Sequence, residues 1–339
     1  MFLSFLLFQK LMVYASVIIF DFKRPDFVKD AITSIKSNST GLEFEIILIK
    51  SYKDLDIERF LNENKVAYFD LMEKIQQSDY IKTAAKAAKG EIIMFLDDDD
   101  IFYPEKIGYL INIFKVHTNL GYYHNNFDTV DQSENIILNR NYKTPVFDSV
   151  YIDNKLKSDF FKHKRNLRLL LKIRPDFNSS SIAIRRVLLF EYHEDYDFNV
   201  RPDSFLFILA LQSSMDIFID SKVLTHYRIY SGNVSTSYNA TIVRLRETFM
   251  GAFSSGITMF SVIQTITKGT AYQNYIEIRM INLKLAYNFW SLSRTYKINF
   301  QEKIFALSIN LIHEAIYIIL SLMPAFIKLK AMKIFYHAK

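Results

Sequence analysis

The 339-residue chain contains no cysteine. That excludes a disulfide framework, a thiolate zinc site and a cysteine nucleophile, leaves catalysis to oxygen and nitrogen groups, and is compatible with a reducing cytosol. No basic block stands out from the scattered Lys and Arg behind the net charge of +6, so no nucleic-acid partner is expected. Internal repeats and low-complexity tracts are missing too, and a 50% hydrophobic composition is ample for a core in one large domain or two smaller ones. Acidic residues stop before Ala315, whereas Lys328, Lys330, Lys333 and Lys339 accompany or follow the apolar stretch 316–327. Such a segment suits a membrane surface. The opening residues 1–8 are apolar but lack a basic leader, so a cleaved signal peptide is not expected, and Met12 is an alternative start.

What is present is led by four consecutive aspartates, Asp97, Asp98, Asp99 and Asp100, directly after the apolar run 92–96. Like charges packed side by side repel, and a divalent cation or a substrate's own cationic or hydrogen-bonding groups would relieve them. One Asp would suffice to cap the following helix, which Pro104-Glu105 opens and which carries Ile107, Leu110, Ile111 and Phe114 on one face.

Upstream, 17–20 reads as a buried strand, and Arg24-Pro25-Asp26 starts a helix with Val28, Ala31, Ile32 and Ile35 on one side. Strands at 44–49 and 66–69 flank a helix at 54–62. Ser78 is the expected cap of a helix containing Ala84, Ala85 and Ala88, with Gly90 ending it. This alternation predicts an α/β fold with a parallel sheet, so the loop 21–24 and the aspartates should share the crevice at the carboxyl ends of the strands. Further strands are expected at 122–124, 181–184 and 224–230, a helix at 203–211, a polar irregular stretch at 131–165, and helices after Asn239.

Three segments resemble the inverting glycosyltransferases of family 2, which have a GT-A fold. Residues 16–25 (SVIIFDFKRP) are similar to the first strand and nucleotide loop. Residues 88–100 (AKGEIIMFLDDDD), with Pro104-Glu105-Lys106 beyond, are similar to the metal-binding signature. Residues 223–235 (VLTHYRIYSGNVS) are similar to the closing strand and loop. The resemblance spans roughly 14–235. It implies a GT-A type nucleotide-diphospho-sugar transferase fold over 1–238, with a nucleotide half at about 14–116 and an acceptor half at about 117–238. A helical region, 239–339, follows.

It also implies roles. Asp97 and Asp99 match the two acids of the Asp-X-Asp motif and would hold Mg²⁺ or Mn²⁺, Asp99 as the direct ligand and Asp97 nearer the ribose and diphosphate. Asp21, Phe22, Arg24, Lys82 and Asp98 join Asp97 as nucleotide-binding candidates. Asp203 is the candidate catalytic base, with Asp195 and Asp197 as substitutes; His226 and Arg228 would share a strand face and reach the diphosphate or be buried. The implied partners are a nucleotide-sugar donor and a glycan or polyprenyl-linked acceptor. This chain departs from the family at Lys50-Ser51, where an acidic pair usually reads the nucleobase. It also departs at Ile81-Lys82, where Arg-Asn is frequent, at Tyr230 in place of a His, and at Pro202 in place of a Glu.

The stretch 305–326 is long enough to cross a bilayer but contains Asn310, His313 and Glu314, so helices lying on the cytoplasmic face of the membrane, broken at Pro324, are expected rather than a span. Two alternatives stand beside the transferase. A sugar nucleotidyltransferase would carry a glycine-rich first loop, and residues 20–25 contain no glycine. A GT-A-like scaffold without catalysis, in a membrane glycan-assembly complex, would fit the departures.

Overall fold

The computed structural model describes residues 13–38, 44–71, 77–137, 144–190, 202–230, 242–309 and most of 316–336. The opening segment with Met12, and Asp195, Asp197, Asn310, His313, Glu314 and residues 231–235, lie outside the described residues. The chain divides into two compact units: Met1–Asp153 with Pro175–Arg228, and Asn154–Arg174 with Ile229–Lys339.

The first unit opens with β1 (Ala15–Asp21), α1 (Pro25–Lys36), β2 (Phe44–Lys50), α2 (Leu55–Glu63), β3 (Ala67–Asp70), α3 (Gln77–Ala87) and β4 (Ile92–Asp97). All seven residues of β1 are buried, as a strand covered on both faces requires. It pairs in parallel with β2 and with β4, and β2 pairs in parallel with β3. The predicted stripe of α1 is buried. Asp54 caps α2 by accepting from the amides of Asp56 and Ile57, both at 3.0 Å.

Two local expectations change. Ser78 lies inside helix α3, described from Gln77 to Ala87, rather than at the position before it. Gly90 serves a close approach instead of a helix stop. A Cβ there would sit 2.5 Å from the Ala15 carbonyl carbon and the Ser16 nitrogen, and its amide donates to Ser16 Oγ at 2.9 Å.

Beyond β4 come β5 (Ile101–Phe102), α4 (Lys106–Val116), β6 (Leu120–Val130), β7 (Val150–Ile152), α5 (Lys157–Lys162), α6 (Lys164–Ile173), β8 (Ile182–Arg185), α7 (Val187–Phe190), α8 (Pro202–Gln212) and β9 (Asp216–Arg228). The sheet order is β3-β2-β1-β4-β8-β6-β9-β5, with β7 also on β9. The first four strands are parallel; β8 runs antiparallel between β4 and β6, and β9 is parallel to β6. The α/β expectation holds, with β1 to β4 parallel to one another and antiparallel pairs among the later strands. The stretch 131–165 is less irregular than expected, since it contains β7 and α5. The strand expected at 224–230 is the end of the thirteen-residue β9.

In the second unit, α5 and α6 join α9 (Ile242–Ile266), α10 (Gln273–Trp290), α11 (Phe300–Ile309) and α12 (Ala325–Tyr336). Trp290 is fully buried with Leu245, Phe289 and Met332. Lys328 does not face outward as expected. It is buried, and its Nζ donates to the Asn288 carbonyl at 2.9 Å; burial, with Arg294 adding to it, pushes the amine down. Helix α9 is long and apolar enough to cross a membrane, by length and composition.

Candidate active site

The aspartate turn and the first loop are one hydrogen-bonded body. Phe20 and Asp97 are register partners, and the chain leaving β4 donates from the Asp98 amide to the Phe20 carbonyl at 3.1 Å. Asp98, fully buried, accepts the Phe22 amide at 2.8 Å and Arg24 Nη1 at 2.8 Å. Asp21 accepts the Lys23 amide at 3.0 Å and the Tyr52 hydroxyl at 2.6 Å. These bonds hold Lys23 at φ 69, a left-handed conformation that a glycine-free loop adopts only when its surroundings enforce it.

Arg24 also forms an ion pair with Asp99. Arg228 braces the turn from beneath: its amide donates to Asp100 Oδ1 and its Nε to the Asp99 carbonyl, each at 3.0 Å. Its guanidinium continues to Gln132, Asp30 and Glu134 and lies 4.5 Å from the Phe27 ring. Arg228 is thus buried and satisfied, the second of its two expected readings. His226 shares its strand face but pairs with Asp128 at 2.6 Å and stacks on Tyr103 at 4.2 Å. Burial pushes Asp128 up, but the His226 and Tyr103 hydrogen bonds outweigh it and hold the carboxyl below its ordinary value.

Sequence reasoning missed the segment that links the two halves. The 3-10 turn Ser179–Ser181 lies against the end of β4, where the Ser179 hydroxyl donates to Asp97 Oδ1 at 2.7 Å and Ser180 Oγ accepts the Asp97 amide at 3.0 Å. One residue earlier, Asn178, at φ 68, donates its amide to Asp203 Oδ2 at 3.2 Å. Consecutive residues therefore hold Asp97 and Asp203. The fully buried Lys106 fastens the turn with bonds to the Ser180 carbonyl and, at 2.8 Å, to Thr225 Oγ1. His124 Nε2 lies 2.9 Å from the Phe177 carbonyl, and burial pushes that imidazole down to about 4. A serine triplet has no local signature for this bridging role; only its burial and the 82-residue contact to Asp97 identify it.

The electrostatics follow from burial. Burial, then the Asp99 charge, pushes Asp97 up to about 7, against the pull of Ser179 and Arg24; the Asp203 charge adds to the rise. Burial also pushes Asp98 well up, against Arg24, and pushes Asp100 well up with Asp99 and Asp97 adding to it. Replacing Ser179 by Ala removes a donor to Asp97. The expected result is about a tenfold loss in kcat/KM, with the acid limb of the pH–rate profile moved to higher pH, since Asp97 then holds its proton longer; Ser179→Thr should restore both. A profile that does not move would show the bond to be structural only.

The remaining candidates are placed as follows. Phe22 is half-buried, with its ring 5.2 Å from Tyr80. Lys82 stands half-buried on α3, the helix that carries Tyr80. Lys50, at the departure from the family pattern, is fully buried, ion-paired with Asp70, and bonded at 2.9 Å to Glu58 and at 2.8 Å to the Tyr52 carbonyl. Burial alone would push its amine down, but the two carboxylates carry it above its ordinary value.

Two carboxylates on the one turn that follows β4 are the hard oxygen donors that Mg²⁺ takes alongside phosphate oxygens, so the chemistry of Asp97 and Asp99 fits such an ion. Among the described residues no three acidic or imidazole side chains gather into a ready-made metal cluster. The protein itself offsets part of the expected charge repulsion, through Arg24 on Asp98 and Asp99, the Ser179 hydroxyl on Asp97 and the Arg228 amide on Asp100.

A mixed α/β sheet with acids at the carboxyl end of its fourth strand and at the head of a later helix defines a GT-A-type transferase. The chain belongs to Glycosyl transferase family 2, whose family model matches residues 16–191, more than half of the chain, and it is a glycosyltransferase. Among solved structures, residues 1–349 of S. aureus TarS in complex with UDP-GlcNAc align at 14% identity with a TM-score of 0.51, covering 88% of this chain and 79% of that one. A second crystal structure of the same TarS fragment gives 14%, 0.50, 88% and 79%. This likeness establishes the fold.

Proposed function

We propose that the protein is an inverting, metal-dependent glycosyltransferase that moves a sugar from a nucleotide-sugar donor to a hydroxyl of a glycan or lipid-linked acceptor. The observation that carries this is the Asn178-Ser179 bridge, which holds Asp97 and Asp203 from adjacent residues. In the reaction, the acceptor oxygen attacks the anomeric carbon from the face opposite the diphosphate. The oxygen–carbon bond forms as the carbon–phosphate-oxygen bond breaks, and Asp203 takes the acceptor's proton. Asp99 and Asp97 would hold Mg²⁺ or Mn²⁺, which supplies positive charge to the departing diphosphate. Asp98 and Asp21 shape the loop that carries Phe22 and Arg24 toward the nucleotide, with Lys82 as a further phosphate contact.

TarS binds UDP-GlcNAc in its crystal, so uridine diphosphate sugars are the first donors to test. A glycan acceptor is supported by three half-exposed rings, Phe127, Phe177 and Tyr227, whose centroids lie 5.6–5.8 Å apart next to Asn178; aromatic faces suit the apolar side of a sugar ring. Attachment to the cytoplasmic membrane surface, where nucleotide sugars are available, is supported by the exposed Ile316, Ile319, Leu322, Met323 and Phe326 and by the exposed Lys330. These features favour a lipid-linked acceptor.

The test is thermal denaturation with a panel of nucleoside diphosphates and nucleotide sugars, with and without Mn²⁺. A ligand at about a hundred times its Kd adds roughly 2.7 kcal/mol, a shift of several degrees. The expected result is a metal-dependent shift with one base, lost in Asp99→Ala. A folded protein that no nucleotide stabilises would overturn the donor reading.

A further inference from the structure

We infer that Arg24 occupies, in the free protein, the place on Asp99 that a divalent cation takes in the donor complex, and that it moves from there to the donor's diphosphate. The inference rests on the reading of Asp99 as a metal ligand. One guanidinium nitrogen, Arg24 Nη1, lies 2.8 Å from Asp98 Oδ1 and also pairs with Asp99 Oδ2, so a single positive charge bridges two neighbouring carboxylates. The Arg24 side chain is 16% exposed, and those of Asp98 and Asp99 are 0% and 7% exposed. At that depth the attraction is little screened, and breaking it without replacement is costly.

Asp98 also accepts the Phe22 amide and remains part of the loop whether or not Arg24 stays. Asp99 faces Arg24 across the ion pair, while the neighbouring Asp97 is held by Ser179 and Ser180. A cation approaching Asp99 alone must compete with the guanidinium, which then keeps Asp98 but loses the Asp99 charge. A cation arriving with a diphosphate meets a different balance, because the phosphate oxygens give Arg24 a new bidentate partner and complete the ion's oxygen shell.

Arg24 also sits where it can move. It precedes α1, whose first residue is Pro25 and whose amides leave the Arg24 side chain out of the helix cap. Its guanidinium is 5.8 Å from the Phe22 ring, on the loop directed at the nucleotide. The consequence is positive coupling: metal and nucleotide bind weakly apart and tightly together, and by linkage each raises the affinity of the other equally.

The experiment is an Mn²⁺ titration followed by electron paramagnetic resonance, in which the six-line signal of the free ion disappears on binding. It is run on the full chain with and without UDP, for wild type and Arg24→Gln. Arg24→Gln should bind Mn²⁺ alone about tenfold more tightly than wild type, with the enhancement by UDP reduced by a similar factor. Adding Asp99→Asn to that variant should remove the gain. Equal Mn²⁺ affinity in wild type and Arg24→Gln, or an undiminished effect of UDP, overturns the proposal, as does absence of Mn²⁺ uptake by either protein. Should Arg24→Gln fail to fold, Arg24→Lys carries the test: a lysine reaches one carboxylate instead of two, so Mn²⁺ affinity rises less but in the same direction, and no rise overturns the idea. If UDP does not bind at all, the donor reading fails, while the comparison with Mn²⁺ alone still decides the role of Arg24.

Discussion

Replacing Asp203 by Asn is expected to slow sugar transfer by about 10²–10⁴-fold, the span that a positioned general base contributes, while leaving UDP and Mn²⁺ affinity near wild type. Asp203 opens α8, and its two oxygens accept the amides of Asn178 at 3.2 Å and Ser204 at 2.8 Å. An Asn side chain has the same shape and keeps one oxygen for the Ser204 amide while giving up the longer bond from Asn178, so the fold should survive. What it cannot do is take the proton of the attacking hydroxyl. The competing explanation is that Asp203 is an ordinary acid at a helix N-terminus. In that case the variant would melt slightly lower and turn over normally. Initial rates with the donor at saturation, beside calorimetric UDP binding, separate the two. Should the rate survive, Asp195 and Asp197 become the residues to replace.

The parts of this molecule that could be read from its sequence are those whose cause is local. Continuous apolar runs announced β1, β2 and β4, and helical spacing announced the buried stripes of α1 and α4, because a buried surface has to repeat with the geometry of its own element. The aspartate turn was legible because four charges after an apolar strand conflict with every local preference. The rest was hidden for a physical reason: its cause lies elsewhere in the chain. That Asp98 holds the first loop depends on a contact 76 residues away. That Lys50 can be buried depends on Glu58 and Asp70 meeting it. Gly90 looked like a helix stop, but its lack of a side chain answers to the β1 backbone 2.5 Å from where a Cβ would be. The first half of β9, residues 216–221, carries three polar side chains that resemble loop composition; two are bound across the sheet, Asp216 by Tyr151 at 2.8 Å and Asp220 by Tyr123 at 2.9 Å.

Asp97→Asn is expected to raise the thermal stability of the free protein at neutral pH while lowering kcat/KM by about 10²-fold or more, because one half-buried group at the end of a buried strand is asked to lose water and to carry charge. The sign follows from the proton balance. In the folded chain Asp97 is pushed up to about 7, by burial first and by Asp99 next, whereas in the unfolded chain it titrates near 4. Below about pH 4 both states hold the proton, so its contribution to stability is fully present. From there to about pH 7 the unfolded chain has released its proton and the folded chain has not, so stability falls as pH rises; above about pH 7 the loss is complete. Asparagine imitates the protonated acid, and its oxygen can still accept the Ser179 hydroxyl. The gap in Tm between variant and wild type should therefore be small near pH 4.5 and largest above pH 7, at about 2–4 °C for each kcal/mol of relief. Asp98 and Asp100 are pushed in the same direction; both are present in the two proteins, and loss of the Asp97 charge also eases Asp100, which adds to the gap with the same sign. Melting curves from pH 4.5 to 8 decide the matter, and a gap independent of pH would mean that Asp97 is not the group titrating. A gap that opens with pH, together with lost turnover, would mean that the chain keeps a destabilising acid at the end of β4 because the charge it carries there is needed when the donor's diphosphate departs.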